Sequence, residues 1–393
     1  MDPGHTPSGE RALARWRLRA ERRLVATLFE ELRGREGARP GWDLARVAGY
    51  AIALGVHAVT LLVLIAGGWL LVTGWPNWVQ VALAVLLLLV AVALRPRPGR
   101  LGPDEDPLTR AEAPALFELL DRVSISLTAP PVHLVVVNGE YNAGFGTVGW
   151  RRRRVLWLGA PLWRVLDPQE RVALLGHEIG HCVNGDARHG LVVGTALETL
   201  AEWHEFTRAH TTDYGYSDAA AGALTIVAEW IQQALLRLLG LPIAGLGVLL
   251  ERLHLRSGQR AEYLADELAA RAGSTAAVIR SQEKLVLAEG VHFALSAAAR
   301  RGETSLGDAA VECVATVPDH EWDRRLRLAR RREHRADVSH PPTALRIDLL
   351  RSRPVREAAV VLDAEAAAEI DRELSGPLSR AERNLRHELL AED

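Results

Sequence analysis

Residues 48 to 72 read AGYAIALGVHAVTLLVLIAGGWLLV, without one charged side chain. A helix of this length can cross a hydrocarbon core of about 30 Å. A second uncharged run, WVQVALAVLLLLVAVAL, fills 78 to 94. The link between them, TGWPN, is uncharged too, and Trp69, Trp75 and Trp78 cluster around it, where interfacial aromatics belong. The pattern predicts a transmembrane helical hairpin over 47–95. A secretory signal peptide is not expected, because its apolar part is shorter and nearer the start. The rival reading is a buried hairpin inside a soluble protein.

Arginines set the expected orientation. Arg11, Arg15, Arg17, Arg19, Arg22 and Arg23 precede the first run, and Arg95, Arg97 and Arg100 follow the second, while the turn has neither lysine nor arginine. The positive-inside rule places both ends of the hairpin in the cytoplasm. The expectation is therefore a multi-pass protein of the cell membrane. Its N-terminal segment and its main domain would be cytoplasmic, with the lipid bilayer as a partner.

A formal net charge of -2 supplies no global field for nucleic acid. The run RRRR at 151–154 lacks interleaved aromatics and sits at an expected hairpin turn. It is read as a solvated turn first and an anionic-lipid contact second, and no nucleic-acid partner is expected. Lys284 is the only lysine. The two cysteines, Cys182 and Cys313, make no disulfide framework and suit a reducing compartment.

Four segments are expected: a polar N-terminal stretch (1–46), the hairpin (47–95), a main domain (104–352) and a C-terminal helical extension (353–393). RPRPGRLGPDEDP reads as a linker. Residues 108–127 have a helical pattern, while VHLVVV (132–137) and RVLWLG (154–159) suit strands. Between the two strands lies a glycine-rich loop or edge hairpin. The remainder is mostly helical, and SGP at 375–377 should break the last helix. The apolar stretch 219–252 is read either as core or interfacial helices or as a second membrane hairpin. A basic, helix-compatible segment spans 321–337.

The chemistry concentrates in DPQERVALLGHEIGH. Asp167 can cap a helix, Pro168 fits its first turn, and Glu170 completes a capping-box-like pattern. In that helix His177 and His181 stand one turn apart on one face, so both imidazoles can reach a single ion. Glu178 lies beside that face, where its carboxylate can take a proton from a water activated at the metal. A catalytic zinc needs a third protein ligand and an open position. The extended pattern H-E-x-x-H-x-x-G-x-x-H would require glycine at 184 and histidine at 187. The sequence has Asn184 and Ala187, and His189 is at the wrong spacing.

A glutamate from a second helix is the other solution, with Glu198, Glu202, Glu205 and Glu262 as candidates. In RAEYLADELAARAG, Asp266 follows Glu262 by one turn. An acid there can accept the outer N–H of a ligand histidine and fix its tautomer. Glu202 and Glu205 have no such partner. Glu198 has Glu202 one turn on and so stays open, but it follows the H-E-x-x-H helix closely, with little chain left to fold back over the metal, and Glu262 is favoured.

HEIGH, then AEYLAD about eighty residues later, then SHPPTALRIDLL, behind an N-terminal membrane hairpin, resembles the HtpX-like and CAAX-prenyl-protease-type membrane zinc metallopeptidases. These are H-E-x-x-H peptidases of the gluzincin type, and the resemblance covers roughly residues 47 to 352. It implies a mainly α fold with a small β-sheet, zincin-like, plus the transmembrane hairpin. It makes His177, His181 and Glu262 the ligands of one Zn2+ per chain and Glu178 the general base. It makes Asp266 the acid behind a ligand histidine. His340 would steady the oxyanion at the scissile carbonyl. YNAGF resembles the family's Asn-Ala-Phe edge strand, although Gly144 separates Ala143 from Phe145. Asn142 and Arg346 are expected substrate contacts on the same basis.

The function implied is a membrane-bound zinc endopeptidase at the cytoplasmic face. It would act on polypeptides, misfolded membrane proteins among them, in membrane-protein quality control. The alternative is a non-catalytic zinc-binding membrane scaffold or sensor, expected to lack Glu178 or to carry a fourth protein ligand.

Overall fold

The computed structural model describes residues 27–33, 44–93, 99–149, 151–183, 190–212, 223–332 and 341–391. Among the described residues the fold is mainly α-helical with one four-stranded sheet. The chain divides into two compact units. One comprises Met1–Gly41, Pro98–Ala187 and Gly258–Asp393; the other comprises Trp42–Arg97 and Arg188–Ser257.

The second unit is helical. Helices α1 (Leu44–Thr73) and α2 (Trp78–Ala93) form the expected hairpin. Gly67 makes room for it, since a Cβ there would lie 3.0 Å from Leu88. Ala53 and Val56 of α1 pack with Ala196 and Leu200 of α6 (Thr195–Thr212) and with Leu250 of α7 (Ala223–Gly273). Most other apolar side chains on α1 and α2 face outward, including Leu62, Ile65, Trp69, Val79, Leu86 and Leu89. Such a surface is costly in water and natural against lipid. Among the described residues two helices are long and apolar enough to cross a membrane, Leu44–Thr73 and Trp230–Gly273.

The stretch 219–252 belongs to α7 from residue 223 onward and is continuous through Pro242. Trp230, Ile231, Leu238 and Leu241 are exposed, which does not describe the interior helix of a soluble domain. α6 and α7 run antiparallel: Leu200 packs in the same cluster as Leu250, while further along α6 Thr207 lies against Gly240.

The first unit holds the sheet, ordered β1 (Pro107–Leu108), β2 (Leu134–Asn138), β4 (Arg153–Gly159) and β3 (Ala143–Val148). β2 and β4 are parallel, and the other two pairs are antiparallel. Valines and leucines at alternate positions put Val135, Leu156 and Leu158 into one core. That core also takes Leu116, Phe117 and Leu120 of α3 (Pro114–Leu127) and Val172, Leu175 and Ile179 of α5 (Pro168–Val183). β3 is an edge strand. The Gly159 N–H donates to Asn142 O at 2.9 Å, which fixes the phase of the ladder. Gly144 and Gly146 then turn their peptide groups to β4, and Ala143 and Phe145 turn theirs outward.

The short helices α4 (Ala160–Val165), α8 (Thr275–Leu285), α9 (Ala288–Arg300), α10 (Leu306–Ala315), α11 (Asp319–Arg332) and α12 (Thr343–Arg351) complete the unit with α13 (Ala364–Ala391). α13 is no appendage. Ile370, Leu374 and Leu378 are buried in the main core. The Glu373 carboxylate accepts the free N–H groups of Ala115 and Leu116 at the start of α3, at 2.8 and 3.0 Å. Asp371 accepts Nη1 of Arg171 on α5 with both carboxylate oxygens, at 2.9 and 3.0 Å. The expected break at 375–377 does not occur. The helix passes through Pro377 because Leu374 and Leu378 are packed on either side of it. Near the other end of the chain Leu28 and Leu32 pack on Tyr263 and Leu349, and Arg353 donates to Leu32 O at 2.8 Å. The segment before the apolar hairpin thus belongs to the same unit as the segments after it.

Candidate metal centre

α5 begins as its sequence suggests. Glu170 reaches back to the Asp167 N–H at 3.0 Å, the reciprocal half of a capping box. The same carboxylate is buried and takes Lys284 Nζ at 2.6 Å. Two turns on, His177 and His181 project from one face with their rings nearly perpendicular. Their Nε2 atoms are 3.3 Å apart. Glu178 lies between them in the chain and is 7% exposed.

The third donor comes from α7, which crosses α5 antiparallel at close range. A Cβ added at Gly176 would lie 2.9 Å from Ala272 Cβ, and one at Gly180 would lie 3.2 Å from Ala265 Cα. Glycines one turn apart on α5 facing alanines on α7 let the two backbones approach. That approach carries Glu262 to the histidines. Its carboxylate oxygens lie 3.5 Å from His177 Nε2 and 3.5 Å from His181 Nε2. Donor atoms of His177, His181 and Glu262 all fall within 4.8 Å of one another, a group that can hold a metal ion. Zinc bonds of about 2.0–2.1 Å give a tetrahedral edge of about 3.4 Å; the 3.3 Å between the two Nε2 atoms matches that edge, while the two 3.5 Å contacts are made by different oxygens of Glu262. Glu198, Glu202 and Glu205 are exposed on α6 and lie outside this group.

Behind the donors lies a buried charge network. Asp266 is 1% exposed, and its Oδ1 accepts His177 Nδ1 at 3.0 Å. That bond leaves Nε2 as the ring nitrogen of His177 that could bind a metal ion. Arg346 grips Asp266 with two hydrogen bonds, Nε to Oδ2 at 2.8 Å and Nη2 to Oδ1 at 2.7 Å. Its Nη1 is 3.3 Å from Glu262 Oε2. Gln282 adds a fourth donor, Nε2 to Asp266 Oδ1 at 2.7 Å. Burial disfavours a charged His177, but hydrogen bonds to Asp266 and Glu262 outweigh it and push the imidazole up to about 10 against opposition from Arg346. Burial would raise the Asp266 carboxyl; Arg346 overrides it and holds the group below its usual range.

The other expected residues divide. Arg346 is 7% exposed and turned toward Asp266 and Glu262, a place behind the ligands. Asn142 is exposed and immediately precedes edge strand β3, which packs against α5. His340 lies outside the described residues. Gln282 and Lys284, both on α8, were not anticipated. The one signal for Lys284 was its being the sole lysine, and nothing in the sequence marks Gln282.

The model of peptidase family M48 matches residues 111–354. A protein described as protease HtpX homolog, from Syntrophobacter fumaroxidans, is 26% identical over 189 residues. That similarity covers 46% of this chain and 62% of the relative, so the chain spans less than two thirds of the relative's length. No solved structure matches the chain.

Proposed function

This chain belongs to peptidase family M48, and from that premise we propose that it is a membrane-bound zinc endopeptidase working at the cytoplasmic face. The observation that carries the reading is the donor set: His177, His181 and Glu262 bring one donor atom each within 4.8 Å of one another, with Glu178 next to His177 in the chain. Held by His177, His181 and Glu262, zinc would supply Lewis acidity toward the scissile carbonyl and the attacking water. Glu178 accepts the proton of the attacking water and delivers it to the leaving amine. Asp266 fixes the tautomer of His177, and Arg346 neutralises Asp266 so that the buried acid stays ionised. His340 steadies the oxyanion.

Substrate binds as an added strand. The outward peptide groups of Ala143 and Phe145 on β3 offer hydrogen bonds to any extended polypeptide, with Asn142 at the start of the strand. Binding through backbone gives broad selectivity, which suits misfolded membrane proteins and a quality-control role.

Topology supports the cytoplasmic assignment. Residues 27–33 and 99–183 belong to one compact unit, and the arginines flanking the first apolar hairpin favour the cytoplasm as its side of the membrane. The test is casein digestion and self-cleavage in detergent after zinc is added to metal-free protein. Cleavage by wild type and not by Glu178→Gln supports the proposal; equal cleavage by both refutes it.

A further inference from the structure

Asp266 has more donors than a ligand-orienting acid requires. Arg346 alone satisfies both oxygens, and His177 takes a further lone pair on Oδ1. Gln282 nevertheless adds its Nε2 to that same Oδ1 at 2.7 Å. Its side chain is 3% exposed, and its Oε1 is buried with no hydrogen-bond partner among the described residues. A buried unpaired acceptor costs free energy and is uncommon enough to need a reason. A hydrocarbon of equal size would fill the space without that cost, and a lysine would add a second cation beside Arg346. An amide is the group that supplies a donor without a charge.

The helix carrying Gln282 is itself pinned to the metal-binding helix. Two residues on, Lys284 donates to Glu170 at 2.6 Å and to Val165 O at 3.0 Å, and Tyr141 donates to Lys284 O at 3.1 Å. α8 therefore holds a fixed place against the start of α5, and Gln282 transmits that place to Asp266.

We infer that Gln282 is a positioning residue for the metal centre. Its amide pins Asp266 Oδ1 where His177 Nδ1–H meets it, and so fixes the direction in which His177 Nε2 points. The inference rests on the reading of His177, His181 and Glu262 as zinc ligands.

Gln282→Met keeps the length and bulk of the side chain and removes both amide atoms. Zinc affinity of the full chain in detergent is measured by competition with a chromogenic chelator, and thermal unfolding of the metal-free protein on the same preparations. The expected result is zinc binding weakened by about three- to tenfold, less than the roughly 10–100-fold typical of removing an acid that touches a ligand directly. The metal-free midpoint should stay put or rise, because the orphan Oε1 is gone. In an Asp266→Ala background, which removes the shared acceptor, the same substitution should change affinity by about twofold at most, since its route is already cut. Unchanged affinity, a loss that tracks a falling midpoint, or a full effect in the Asp266→Ala background would each overturn the inference. Wild type and His181→Ala run alongside. Zinc binding absent from wild type, or untouched in His181→Ala, refutes the metal site itself.

Discussion

Oδ1 of Asp266 stands 3.0 Å from Nδ1 of His177, one helical turn past Glu262 on the same helix. One stretch of α7 thus supplies both a candidate ligand and the group that aims another. Removing the acid while keeping its shape should separate orientation from packing. Asp266→Asn is expected to weaken zinc binding by roughly 10–100-fold in chelator competition. Asp266→Ala should also destabilise the fold by about 3–5 kcal/mol, because it leaves Arg346 buried without its main partner. Denaturant titration of the metal-free protein reads that second effect, and a change within error would argue that the pair contributes nothing to the fold.

The same neighbours predict how pH acts. His177 has an ordinary value of 6.5 and is pushed up to about 10 by Asp266 and Glu262 despite burial. A folded-state value raised in this way contributes stability in full below 6.5, and that contribution is lost as pH climbs through about 10. Metal-free protein should therefore weaken at alkaline pH. Zinc must displace the proton, so its affinity should rise with pH across the neutral range, by about tenfold per unit for one proton. Calorimetry in buffers of different ionisation enthalpy counts the released protons. A flat profile from pH 6 to 8 would contradict the assignment.

Close packing of α5 on α7 makes glycine necessary at two positions. Gly176→Ala brings a Cβ to 2.9 Å from Ala272 Cβ and 3.1 Å from Ala269 Cα. The expected cost is about 1–3 kcal/mol of stability, with weaker zinc binding as Glu262 is pushed back. Gly144→Ala on the edge strand meets nothing within 4 Å and should be nearly neutral in the same melts. Equal effects at the two sites would refute the packing argument.

Truncation tests the place of the last helix. Removing residues after 363 strips Ile370, Leu374 and Leu378 from the main core. Each fully buried side chain of this kind is worth about 1.5–3 kcal/mol. The shortened chain should fail to fold, seen as rapid proteolysis of the domain in detergent. A stable, zinc-binding truncation would show that α13 is dispensable.

The helix carrying His177 and His181 could be read directly, because cap, proline and the four-residue spacing are all local. The third donor was reachable through Asp266, again a spacing within one helix. Gln282 was not, since its partner is on another helix and no periodicity links them. Lys284 stood out as the sole lysine, yet its bond to Glu170 depends on how α8 lies against α5. Pro377 misled for the converse reason. Local propensity favours a break, and burial of Leu374 and Leu378 on either side overrides it. The hairpin of α1 and α2 was legible because two long uncharged runs joined by a short turn are a local feature of the sequence.

The most direct test of the central claim combines zinc content and peptide hydrolysis on the same reloaded preparations of wild type and Glu178→Gln. The account predicts one zinc per chain in both proteins. It predicts cleavage by wild type and a loss of at least about 10²-fold in Glu178→Gln. Zinc missing from wild type, or hydrolysis undiminished in Glu178→Gln, would contradict it.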